Sequence, residues 1–101
     1  MSGDKESVKK IVKTFIQSIP PSVTAMQEAC NVKDWLTTAK HAHSIKANID
    51  TLQMRIIHDD LKTIEINGKK EIDLESIPAL VSKVKKVIEE TFIQLKAEFN
   101  L

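Results

Sequence analysis

Residues 42–53 decide the fold of this chain, and they read Ala42-His43-Ser44-Ile45-Lys46-Ala47-Asn48-Ile49-Asp50-Thr51-Leu52-Gln53. An α-helix turns by about 100° per residue, so positions three, four and seven apart share one face. With that spacing, six apolar residues fall within roughly 100° of one another: Trp35, Ala42, Ile45, Ile49, Leu52 and Ile56. Such a stripe predicts a helix with one side packed against a core.

His43 lies on the other side of this helix, roughly 130° from the centre of the stripe. Lys46 follows one turn later, Lys40 precedes it by one turn, and Ala47 leaves a low profile beside the ring. Imidazole titrates near neutral pH and can carry a group covalently. A lysine one turn away can offset the negative charge of a phosphoryl group as a flexible cation. From these residues alone an ordinary surface histidine is the expected interpretation, and a phosphate-carrying histidine is the alternative.

The composition limits the class of protein. A length of 101 residues predicts one domain, residues 1–101. Fifteen basic and fourteen acidic side chains nearly balance, which argues against a nucleic-acid-coating protein. No apolar run is long enough for a membrane span, and the N-terminus lacks the pattern of a signal peptide. A lone cysteine, Cys30, predicts no disulfide framework and a cytoplasmic location.

Two helices are expected before residue 32. The first is marked by apolar residues at helical spacing, namely Val8, Ile11, Val12, Phe15, Ile16 and Ile19. Asp4 is its expected N-cap. Proline lacks the backbone donor and restricts the preceding residue, so Pro20-Pro21 predicts the end or a kink of this helix. A second helix is expected over residues 22–31.

Two more helices are expected after Asp34. Asp34 is the predicted N-cap of the helix that begins at Trp35. This helix covers residues 35–53, with a kink or short link near residues 53–55. The next helix has its inward residues at Ile57, Leu61 and Ile64. Asn67-Gly68 is a turn signal. Because the residues around that turn alternate in polarity, a β-hairpin remains an alternative there.

A last helix is expected from Asp73 or Ser76 almost to the end of the chain. Pro78 suits its first turn. Its inner face consists of large apolar residues at helical spacing, namely Leu80, Val84, Ile88, Phe92, Leu95 and Phe99. The predicted fold is therefore all-α, an antiparallel up-and-down four-helix bundle with an additional N-terminal helix.

Metal binding is not expected from the histidines. His41 and His43 are two residues apart, and on a helix their side chains point about 200° apart. They could bind one ion together only on a strand, which the helical spacing argues against. The polar run His58-Asp59-Asp60 is expected to be a solvated face rather than a metal site.

Three other residues have both a structural and a functional interpretation. Cys30 falls on an inward face, so a small core filler is expected rather than a nucleophile paired with histidine. Trp35 is expected to pack in the core rather than line a cofactor pocket. Asp50, one turn beyond Lys46, is expected to pair with that lysine or with water, and the alternative is a role in aligning it.

The chain resembles the histidine-containing phosphotransfer (HPt) domains, small helical bundles with a His-x-aliphatic-Lys-Gly motif followed by an aliphatic-Gly pair. Here the motif reads His43-Ser44-Ile45-Lys46-Ala47, and later Leu52-Gln53. The resemblance spans roughly residues 15–95. Ala47 and Gln53 stand where the family has glycine; alanine keeps the low profile beside the histidine, whereas Gln53 is bulkier.

The resemblance implies a phosphorelay intermediate of two-component signal transduction. His43 would accept a phosphoryl group from an aspartyl phosphate of a receiver domain and pass it to another receiver. Lys46, Ala47, Lys40 and Asp50 would be the phosphate- or partner-binding residues. Such domains have no ATP site, and this sequence has neither a phosphate-binding glycine loop nor the kinase signatures.

The resemblance also sets the expected partners and cofactors. The partners would be receiver domains of response regulators or hybrid sensor kinases, which supply Mg²⁺, so the chain needs no cofactor of its own. A monomer is expected, either free-standing or part of a hybrid sensor kinase. The competing class is a helical interaction module that binds a receiver or a partner helix without phosphotransfer.

Overall fold

The computed structural model describes the backbone of residues 2–51 and 57–100, and the side chains of residues 6–50 and 57–100. It contains four α-helices and a 3₁₀ turn at Leu74–Ser76: α1 (Ser2–Asn31), α2 (Trp35–Thr51), α3 (His58–Lys70) and α4 (Ile77–Phe99). Within these ranges there is no strand, and the predicted all-α class is confirmed. The link predicted at residues 53–55 and the Asp4 cap lie outside the described residues and side chains. No helix of the described chain is both long and apolar enough to cross a bilayer.

α1 continues through Pro20 and Pro21, so the predicted end of the helix there and the separate helix over residues 22–31 are wrong. Each proline leaves one carbonyl, that of Ile16 or Gln17, without its helical N–H partner. Both prolines are exposed, so water can satisfy those carbonyls. One buried stripe continues past the prolines, through Val12, Ile19, Val23, Met26 and Cys30. The burial of that stripe outweighs the roughly 3 kcal/mol that a proline costs inside a helix.

A tight turn joins α1 to α2. Lys33 adopts a left-handed conformation with φ 61°. Its N–H donates to the carbonyl of Cys30 at 3.0 Å, and the N–H of Asp34 donates to that of Ala29 at 2.9 Å. These two bonds form the Schellman motif that closes many helices. The Asp34 carboxylate then accepts from the backbone N–H of Thr37 at 3.3 Å and from its hydroxyl at 2.8 Å, which confirms the predicted N-cap of α2.

α3 runs through Asn67 and Gly68 and ends at Lys70, so neither the predicted turn nor the alternative hairpin forms there. The helix instead closes at Glu71, which is left-handed with φ 54°. Gly68 is needed for a close approach between α3 and α2. A Cβ on Gly68 would lie 2.8 Å from the backbone carbonyl oxygen of Trp35 and 3.0 Å from the Cβ of Ala39.

Gly68→Ala is expected to lower the free energy of unfolding by about 1–2 kcal/mol, because overpacking against a fixed backbone costs more than alanine gains in helix propensity. Urea unfolding followed by circular dichroism measures this change. Lys62→Ala, at an exposed position of the same helix, is the control and should stay within about 0.5 kcal/mol of the parent. A Gly68→Ala protein as stable as the parent would show that α2 and α3 can move apart freely.

The four helices enclose one apolar core. α2 packs against α1 and α3, and α4 also packs against α1 and α3. The predicted inner face of α4 contributes Val84, Ile88 and Phe92, all buried. The N-terminal half of α1 differs from the prediction, because Val8 and Ile11 are each 45% exposed. Its apolar face is therefore only partly covered by the rest of the described chain.

Candidate functional site

α2 turns its apolar side toward the core and presents His43 on its outer side. The His43 side chain is 59% exposed, and Lys40 and Ala47 are exposed one turn before and after it. The residues of the opposite side are fully buried, namely Ala42, Ile45 and Ile49. The ring therefore has the outward orientation that helical spacing predicts, and a second molecule can reach it.

One carboxylate on α3 gathers three nitrogen-bearing side chains. Nδ1 of His43 lies 2.9 Å from Oε2 of Glu65, and Nζ of Lys46 donates to Oε1 at 2.9 Å. Nζ of Lys69 donates to Oε2 at 3.1 Å. The Glu65 side chain is only 11% exposed. These four residues, His43, Lys46, Glu65 and Lys69, are called the Glu65 cluster below.

The three partners of Glu65 lower the pKa of its carboxyl to about 2. The hydrogen bond from Lys46 is the main cause, and those from Lys69 and His43 add to it. Partial burial acts in the opposite direction, because it disfavours the charged form. The carboxylate therefore keeps its negative charge throughout the physiological range of pH.

An ionised carboxylate can only accept hydrogen bonds, so Nδ1 of His43 must carry the proton in the bond to Glu65. In a neutral imidazole the other nitrogen, Nε2, then carries the free lone pair. Glu65 thus fixes both the tautomer and the orientation of an exposed ring. When the ring is neutral, the arrangement therefore presents one defined nitrogen, Nε2, as the nucleophile.

The two lysines of the cluster differ in freedom. Lys46, predicted as a flexible cation, is bound to Glu65 and only 21% exposed. Lys69 was not anticipated from the sequence; it lies one turn after Glu65 on α3, and its side chain is 52% exposed. A negatively charged group on the ring would find both ammonium groups at the same carboxylate, and Lys69 can reorient with less loss of packing.

Asp50 does not take part in the Glu65 cluster. Its Oδ1 lies 2.6 Å from Nδ1 of His58 at the start of α3, so Asp50 pairs with His58 and the predicted pairing with Lys46 is wrong. Glu65 holds Lys46 instead. Lys40 makes no ion pair with any acidic side chain among residues 6–50 and 57–100 and remains available to a partner.

The other candidates have structural roles. No group of three or more His, Cys, Asp or Glu side chains in the described part of the chain is placed to hold a metal ion. Asp60 faces Nζ of Lys83 at 3.0 Å. Cys30 is buried, and burial raises the pKa of its thiol. Trp35 packs against the core. The predicted core positions of Trp35 and Cys30 are therefore confirmed.

Glu65, like Lys69, is a residue of the candidate site that the sequence interpretation missed. The predicted turn at Asn67-Gly68 ended the expected helix beside Glu65, so its inward face was followed only as far as Ile64. On helical spacing Glu65 falls in the buried stripe of α3 beside Leu61, Ile64 and Gly68. A carboxylate within such a stripe requires a charged partner, and that signal could have identified it.

Comparison with protein-family models gives no match to this chain, and no curated protein or solved structure matches it. The function is therefore inferred from the geometry of the site and from the motif at His43.

Proposed function

We propose that this chain is a phosphorelay intermediate in which His43 carries a phosphoryl group between receiver domains. The supporting observation is an exposed imidazole whose Nδ1 is bound to the ionised Glu65, which leaves Nε2 as the nucleophile. Phosphoryl transfer depends mainly on positioning and on the stabilisation of charge. The Glu65 cluster offers both, and the resemblance of the His43 motif to HPt domains favours the same role.

The proposed step is an in-line displacement. The Nε2 lone pair of His43 attacks the phosphorus of an aspartyl phosphate on the receiver; a P–N bond forms, and the P–O bond to the aspartate breaks. The aspartate leaves as a carboxylate, and no proton has to leave Nε2. The proton on Nδ1 stays in the hydrogen bond to Glu65, whose charge balances the cationic ring. Onward transfer reverses these bond changes on a second receiver.

The surroundings of His43 suit such a partner. Ala47 leaves room beside the ring, and Lys40 and Lys69 flank it with positive charge. Lys46 and Lys69 would offset the charge of the bound phosphoryl group. Mg²⁺ and most of the catalytic groups would come from the receiver, so the chain works without a cofactor or kinase activity of its own.

The proposal includes a particular arrangement and setting of the chain. Each helix packs against two neighbours, which supports an antiparallel up-and-down four-helix bundle. The N-terminal half of the continuous α1 takes the place of the additional helix expected there. The protein would act as a cytoplasmic monomer, either free-standing or as part of a hybrid sensor kinase.

A phosphotransfer time course tests the proposal. The purified chain is mixed with a panel of receiver domains that carry radiolabelled aspartyl phosphate, and label on each protein is followed by gel electrophoresis. At least one receiver is expected to pass its label to the chain, in a linkage that is stable to alkali and labile to acid, as a phosphoramidate is. If receivers bind the chain and no label moves, the chain is the alternative, an interaction module without phosphotransfer.

A further inference from the structure

A groove between α1 and α4 lies outside the proposed phosphotransfer site, which is built on α2 and α3. It consists of two clefts of about 670 Å³ and about 350 Å³. Both clefts are lined by Ile16 and Lys96, so the two clefts adjoin, and together they are called the α1–α4 groove below. Its length follows the two longest helices of the chain.

The α1–α4 groove has an apolar base, part of which is open to solvent in the described chain. Val23, Ile88 and Phe92 lie buried at this base, and Ile16 and Ile93 line the groove above them. Ile93 is 68% exposed, although a large aliphatic side chain gains stability only when it is buried. Ile93 and the half-buried Ile16 therefore offer a partner apolar area that the described chain leaves uncovered.

The edges of the groove carry an excess of positive charge. Five lysines line it, namely Lys9, Lys10, Lys13, Lys85 and Lys96, against two acidic residues, Glu6 and Glu89. The groove thus has a formal charge of +3 in a chain whose net charge is +1, which leaves −2 for the remainder. Positive charge is concentrated at this surface, so an occupant with negative flanks is favoured.

We propose that the α1–α4 groove binds an amphipathic helix of a partner protein, with an apolar stripe flanked by acidic residues. A concave channel between two helices fits a third helix, whereas a membrane surface requires a protruding apolar face. Single-stranded nucleic acid requires exposed aromatic rings, and the one aromatic residue of the groove, Phe92, is buried. A second copy of the chain would bring one lysine edge against another, and repulsion between these like charges disfavours it as the occupant.

Two synthetic peptides of about 20 residues test this proposal on the full chain. Both carry leucines at helical spacing; one has glutamates and the other has lysines along the flanks of the stripe. Fluorescence anisotropy is expected to show at least about tenfold tighter binding of the glutamate peptide, weakening as salt is added. Amide shifts of the ¹⁵N-labelled chain should change at Ile16 and Ile93 and stay constant at His43.

Charge reversal in the groove provides the matched comparison. Lys13→Glu/Lys96→Glu should weaken binding of the glutamate peptide about tenfold or more, because attraction becomes repulsion at two positions. Lys62→Glu/Lys70→Glu makes the same change in net charge on exposed residues of α3 and should leave the affinity within about twofold.

Several results would overturn the proposal. Equal affinity for both peptides, or equal weakening by the two charge-reversed proteins, would show that the groove does not select an acidic helix. A dimer in sedimentation equilibrium that Ile93→Asp converts to a monomer would identify a second copy as the occupant. Binding to phosphatidylserine vesicles through Lys13 and Lys96, without peptide binding, would identify a lipid surface. None of these measurements depends on phosphotransfer, so either proposal can fail alone.

Discussion

His43→Gln is expected to accept no label from any phosphorylated receiver and to keep the fold of the parent protein. Glutamine has no nitrogen lone pair that can attack phosphorus, because its amide nitrogen is delocalised into the carbonyl. The side chain at position 43 is 59% exposed and outside the core, so the free energy of unfolding should change by less than about 1 kcal/mol. The measurements are phosphotransfer from a labelled receiver and urea unfolding followed by circular dichroism.

His41→Gln is the matched control, because it removes the same ring two positions earlier on the same helix. The side chain of His41 is half-buried, and it makes no contact with the Glu65 cluster through a hydrogen bond or ion pair. This variant should accept label at the rate of the parent protein. Label that persists in His43→Gln, or that disappears in His41→Gln while the protein stays folded, would move the carrier away from His43.

Local helix geometry is enough to place His43 correctly from the sequence. The direction of a side chain around a helix depends only on its position along the helix, so the burial of Ala42, Ile45 and Ile49 already determines the exposed side. The N-cap at Asp34 is equally local, because its partners lie within one turn. These parts of the fold and of the site could be predicted because they need no knowledge of the neighbouring helices.

The features that were missed depend on contacts between helices. Local rules predict that the first helix ends or kinks at Pro20-Pro21. Packing of the buried stripe that continues past both prolines overrides the predicted end. Gly68 has the signature of a turn, and its actual role is set by the carbonyl of Trp35 on another helix. Glu65 meets His43 across 22 positions of sequence, and no spacing rule within one helix could predict that register between α2 and α3.

Glu65→Gln is expected to remove an acid-sensitive part of the stability of the protein. The pKa of Glu65 is about 2 in the folded chain, against an ordinary value of 4.5. The ionised carboxylate therefore stabilises the fold above about pH 4.5, and this contribution is lost as the pH falls from 4.5 toward 2. At neutral pH the parent should be more stable than Glu65→Gln by on the order of 2 kcal/mol. This is less than the pKa difference alone implies, because solvent screens the interactions of Glu65 with Lys69 and His43.

Unfolding by urea between pH 2 and pH 7 measures this contribution. The difference between the parent and Glu65→Gln should be largest near pH 7 and vanish near pH 2. Glu90→Gln, an exposed carboxylate on α4, is the control and should show no such divergence. A constant difference across the whole range would mean that the variant disturbs packing and that ionisation of Glu65 contributes nothing.

The same variant separates a positioning role of Glu65 from a purely structural one. An amide at position 65 can donate as well as accept, so Nδ1 of His43 no longer needs to carry the proton. Nitrogen NMR of the ring should then show a mixture of the two neutral tautomers. Transfer from a receiver should slow by about tenfold or more, because part of the population presents a protonated Nε2 and because the amide no longer balances the charge of the phosphorylated ring. If the parent ring already populates both tautomers equally, Glu65 does not select the nucleophile, and the cluster would only anchor α3 to α2.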